Sequence, residues 1–145
     1  MSKRTTIVSA AGLALVVAGL VAVAMAALTA ERKTESVQCG NYMVSIGCAA
    51  RFWAEDHDGR LPSNLLSMSN ELITPMILVC PGDHSRRPAA GWGVFTPADS
   101  SYEIVTPGLK VGDTNSVFLR CKIHGHLGYA DATVFDGARR RTKTP

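Results

Sequence analysis

The chemistry this chain could perform is concentrated in its cysteines and histidines, four of each in 145 residues. Cys80 is followed by His84, and Cys121 by His124 and His126. Cys-x3-His and Cys-x2-His-x-His together supply the donor types, and enough of them, for four-coordinate zinc. The same cysteines support a second chemistry. Thiols of an exported domain oxidise, and Cys80 and Cys121 each end a predicted strand, so the sequence predicts a Cys80–Cys121 disulfide. It would close a loop of about forty residues, worth roughly 3–4 kcal/mol in the chain-entropy model. Cys39 and Cys48 lie nine positions apart on a predicted helix, about 13 Å along its axis, too far for a bridge within one helix. The disulfide is the first expectation. Zinc held by Cys80, His84, Cys121, His124 and His126 is the alternative.

Other candidate sites are weaker. Asp56, His57, Asp58 and Gly59 resemble the start of a calcium loop, but the later ligands and the closing Glu are missing, so they read as a helix-terminating turn. No G-x-S-x-G, P-loop or H-E-x-x-H occurs, and the chain reads as a non-enzyme. Were it a hydrolase, His124 and Asp131 would be the first residues to mutate. The formal charge of +3 is partly concentrated at Arg139, Arg140, Arg141 and Lys143. No aromatics are interleaved there, which argues against a nucleic-acid partner and for a solvated, disordered basic tail over residues 138–145.

The elements that position these residues begin with an apolar run from Ile7 to Leu28, uncharged between Arg4 and Glu31. At roughly 20 residues per span it is long enough to cross a bilayer. It reads as a retained anchor over residues 1–30. A cleaved secretory signal is the other reading, with Lys3 and Arg4 as its basic start and Ala24, Met25 and Ala26 as its processing site. Lys3 and Arg4 on one side and Arg32 and Lys33 on the other give little orienting charge bias. Ala10, Ala14, Ala18, Ala22, Ala26 and Ala30 recur every fourth residue, a small-residue stripe along which another membrane helix could approach closely.

A head domain follows over residues 31–137. Val37, Val44, Cys48 and Phe52, with Met43, Ile46, Ala50 and Trp53 beside them, predict an amphipathic helix over residues 36–54. Gly40 and Gly47 weaken its middle by about 1 kcal/mol each. No breaker separates it from the apolar run, so one helix of about fifty residues is the simplest expectation. Gly59 and Pro62 end it, and a short helical turn is expected near Leu65. Thereafter β-like runs at residues 76–80, 101–106, 116–121 and 127–135 are split by turn residues. They are too closely spaced for crossover helices, so the fold class is α+β, with a long N-terminal helix packed on a small antiparallel sheet.

Three segments resemble the bacterial type II secretion pseudopilins and related pilin-like proteins. Cys39, Asn41, Ile46, Gly47, Ala49, Arg51, Trp53, Ala54 and Asp56 follow that family's pattern C-x-N-N-L-K-Q-I-G-x-A-x-R-x-W-A-x-D, just outside the membrane. The 56–62 stretch is similar to its D-N-G-x-[YFL]-P turn, with one extra residue. The blocks at 79–83, 101–103, 121–126 and 130–134 resemble C-P-x-D, S-Y-x, C-P-x-H-G and A-D-G-S-V, with Ala132 where Gly is usual. His126 and Asp136-Gly137 also match a His-x9-Asp-Gly signature of pilin-like C-termini. The likeness covers about residues 39–135. It implies a structural subunit of a secretion or related envelope assembly, anchored once in the inner membrane with its head in the periplasm or outside the cell. Its partners would be the membrane, other pilin-like subunits or secretion components, or further copies of itself. The chain departs from the family at the N-terminus, where no acidic residue precedes Glu31 and the prepilin-peptidase motif is missing.

Overall fold

The structure, a computed structural model, describes residues 10–137 and 140–141. Its first element is helix α1, Ala10–Glu55, free of proline along its whole length. The chain divides within this helix into two compact units, Met1–Thr34 and Glu35–Pro145. In the first, every residue from Leu13 to Thr34 is exposed. In the second, α1 turns Cys39, Met43, Ile46, Ala50 and Ala54 inward at helical spacing, each no more than 1% exposed. This is the face of the predicted Met43 set. Val37 and Phe52, from the other predicted set, face outward.

The helix stops where the sequence predicts. Asp58 and Gly59 both take left-handed φ values, 54° and 71°, and the Gly59 N–H returns to the Ala54 carbonyl at 2.9 Å. His57 stacks on Trp53 and bonds its carbonyl through Nδ1 at 2.7 Å. The next segment pairs with a distant loop: Leu61 N–H donates to Leu109 O, and Val111 N–H to Gly59 O. The expected turn near Leu65 is a 3-10 turn, Leu66–Met68, running into a short helix α2, Ser69–Leu72.

The sheet is an antiparallel meander, β1 Tyr102–Ile104, β2 Val117–Cys121, β3 Leu127–Tyr129, β4 Val134–Phe135 and β5 Arg140–Arg141, paired in that order. Three expectations are corrected. The run at residues 76–80 is not a strand: Pro75–Leu78 form a 3-10 turn capped by the Thr74 side chain, because proline starts the turn, and the segment meets the residues before β1 through Ser101 N–H to Leu78 O and Cys80 N–H to Ser101 Oγ, not through a strand ladder. The run at residues 127–135 is two strands, split by a tight turn in which Ala132 takes φ 65° and the Asp131 carboxylate accepts from Thr133 N–H and Oγ1. Within the basic tail, Arg140 and Arg141 pair with Phe135 and Val134; residues 138–139 and 142–145 lie outside the described residues.

That turn explains Gly47. A Cβ at Gly47 would lie 2.9 Å from Ala132 Cβ and 3.0 Å from its Cα, so glycine is what lets the β3–β4 turn touch the helix. Gly47→Ala should destabilise the head by about 1–2 kcal/mol, overpacking outweighing the gain in helix propensity. In chemical denaturation Ala132→Gly should recover part of that loss, a coupling that two independent sites would not show.

Candidate metal centre

The head brings Cys39, Cys80, Cys121 and His124 to one point, their donor atoms all within 4.8 Å of one another. The three cysteines are at most 1% exposed. Each comes from a different element. Cys39 is one turn before Met43 on the buried face of α1. Cys80 follows the Pro75–Leu78 turn. Cys121 ends β2, opposite Tyr102 on β1, and His124 lies in the turn after it.

The two loops hold their donors in similar ways. After Cys80 the chain turns through Pro81 and Gly82, with Asp83 N–H on the Cys80 carbonyl at 2.8 Å. After Cys121 it turns with Gly125 N–H on the Cys121 carbonyl at 3.0 Å and Gly125 at φ 69°. Each sulfur then accepts main-chain N–H groups from its own turn: Gly82 for Cys80, His124 and Ile123 for Cys121, the His124 N–H at 3.4 Å. The Tyr102 hydroxyl reaches Cys39 Sγ at 3.5 Å, and His124 Nδ1 lies 3.1 Å from Cys80 Sγ. A Cβ on Gly82 would fall 2.9 Å from His124 Cε1, so the ring packs directly over the glycine and would have to shift for a larger residue.

A buried carboxylate fixes the Cys80 turn. Asp83 accepts from Ser85 N–H at 3.2 Å, Ser85 Oγ at 2.6 Å, Arg86 Nη1 at 2.5 Å and Ser101 Oγ at 2.7 Å. Ser101 Oγ in turn accepts the Cys80 N–H at 3.0 Å. Burial alone would raise this carboxyl's pKa. The donors from Ser85, Ser101 and Arg86 outweigh burial and hold it well below the usual carboxylate range.

The protonation of the thiols follows from their crowding. S–H donation from Cys39 and Cys80 pulls the Cys121 thiol down, against burial and helped by the two N–H groups. The same contacts push Cys39 and Cys80 up.

The structure holds no Cys80–Cys121 bond: all four cysteines are free. The two predicted partners do lie side by side, but Cys39 and His124 meet them at the same point. Two histidines of the predicted zinc set lie outside the group. His84 has a side chain 79% exposed, with Nε2 3.3 Å from Glu35 Oε1. His126 is buried, stacked on His124 with centroids 5.2 Å apart, and bonded through Nε2 to Ser36 Oγ at 3.1 Å. The fourth member, Cys39, was legible only as a residue four before Met43 on the predicted buried face. Cys48 is half-buried and not in the group. Of the alanine stripe, Ala14, Ala18, Ala22, Ala26 and Ala30 are exposed like their neighbours; the Ala10 side chain lies outside the described residues.

The class these features define is an α+β head built on one long N-terminal helix that is long and apolar enough to cross a membrane. A scan against protein-family models found no match to the chain, and searches of curated proteins and of solved structures found none either.

Proposed function

We propose that the chain is a membrane-anchored structural subunit of a pilin-like envelope assembly, of the kind the type II secretion pseudopilins form, acting by helix packing and not by catalysis. The observation that carries this reading is the uncovered apolar surface of α1, where Leu15, Leu20 and Val23 are 75, 66 and 70% exposed. Apolar surface of that extent needs lipid or other helices over it. The same helix is continuous in sequence with the core helix of the head, so an anchor that stays attached holds the head at the membrane surface. The recurring alanines supply the close approach that packing beside other helices requires, and the head belongs outside the cytoplasm.

The full chain should sediment with membranes and resist alkaline extraction, with its apolar segment retained on N-terminal sequencing. A photo-crosslinker at Ala18 or Ala22 should capture a second single-span subunit or another copy. A soluble mature protein beginning just after Ala26 would sink the proposal.

A further inference from the structure

We propose that Cys39, Cys80, Cys121 and His124 bind one zinc(II) ion in a closed structural site that fastens α1 to the sheet of the head. Three thiols and an imidazole are a donor set that structural zinc centres use, and soft thiolate ligands select zinc over harder divalent ions. In such a centre neighbouring sulfurs stand ~3.8 Å apart, from Zn–S bonds of about 2.3 Å; donors already within 4.8 Å of one another need only close by small side-chain movements. All four positions are filled by protein, and the cysteines are sealed from solvent, so the site leaves no place for substrate and is structural.

The surroundings suit thiolates held on a cation. Main-chain N–H groups from Gly82, Ile123 and His124 point at two of the sulfurs, and the Tyr102 hydroxyl at the third. These are the outer donors that offset the excess negative charge of three thiolates on a dication. Gly82 leaves the gap the His124 ring occupies. Binding is a proton exchange with no redox step: zinc(II) displaces the three thiol protons to solvent, and His124 donates a neutral ring nitrogen. The disulfide would need an oxidant and would join only two of the three converging sulfurs. The site also links chain segments far apart in sequence, residues 39, 80 and 121–124, so the bound ion closes two long loops at once. It does not depend on the membrane reading, because every ligand lies in the unit Glu35–Pro145.

The test uses the full chain, purified in detergent under reducing, anaerobic conditions. Elemental analysis should find about one zinc per chain, and cobalt(II) replacement should give the thiolate charge-transfer and tetrahedral d–d bands of a site with three sulfur donors and one nitrogen. Cys39→Ser, Cys121→Ser and His124→Asn should each weaken zinc binding about tenfold or more, while Cys48→Ser and His84→Ala leave it unchanged. Should the ligand variants fail to fold, alkylation of the wild-type chain followed by peptide mapping decides the matter: zinc should protect Cys39, Cys80 and Cys121 but not Cys48. A reduced, folded chain that takes up no zinc would overturn the proposal. So would an alkylation pattern unchanged by zinc, or zinc binding lost with His84→Ala but retained with Cys39→Ser.

Discussion

Asp83→Ala should destabilise the head by about 3 kcal/mol at neutral pH, since it removes a carboxylate that gathers four hydrogen bonds and leaves the buried Ser101 hydroxyl without its acceptor. The loss should depend on pH in a defined direction. The folded chain holds Asp83 ionised more strongly than the unfolded chain does, its pKa lying below the ordinary value of 3.8. Its contribution is therefore complete above about pH 5, declines as the pH falls through 3.8, and is gone once the pH passes below the depressed folded value. Urea denaturation at pH 7 and pH 3 should show the gap between wild type and variant narrowing on acidification. A gap that widens, or no effect at pH 7, would refute this account of Asp83. Because Ser101 joins this carboxylate to the Cys80 N–H, the variant should also make Cys80 quicker to alkylate in the metal-free chain.

Met43→Ala carries the other large effect, about 2–5 kcal/mol. Met43 is 1% exposed, and its Cε lies 3.4 Å from where a Cβ on Gly128 would sit, beside Leu119. The side chain thus fills the space that β3 leaves over its glycine, and truncation opens a cavity between helix and sheet. Met43→Leu, close in volume, should cost less than about 1.5 kcal/mol. Met43 is one turn from Cys39 on the same buried face, so the alanine variant should also speed Cys39 alkylation without zinc. Equal stability of the alanine and leucine variants would show that this packing is not what seats α1 on the sheet.

Much of the local structure was legible because it rests on short-range rules. An unbroken apolar stretch and the 3.6-residue recurrence of Met43, Ile46 and Ala50 specify α1, and the Asp58-Gly59 turn ends it. The β-branched and aromatic runs at residues 101–106 and 116–121 contain β1 and β2. Reading failed where two local rules competed. Met76–Cys80 has strand-like composition, but Pro75 removes a donor and Thr74 caps a 3-10 turn. The run at residues 127–135 hides a turn because its left-handed position is filled by Ala132 and not by glycine.

By itself, then, the sequence determined an apolar helix, an α+β head and a set of cysteines and histidines able to bind metal or oxidise. Cys80 and Cys121 stand out because each ends a predicted strand, and His124 because it follows Cys121 by three residues. Only the tertiary structure decided the membership of the site. Packing the buried face of α1 on the sheet carries Cys39 into the group, the Glu35 contact holds His84 outside it, and Ser36 engages His126. Local periodicity fixes which way a side chain faces, whereas convergence of residues 39, 80, 121 and 124 depends on how helix and sheet dock, which no short stretch of sequence encodes.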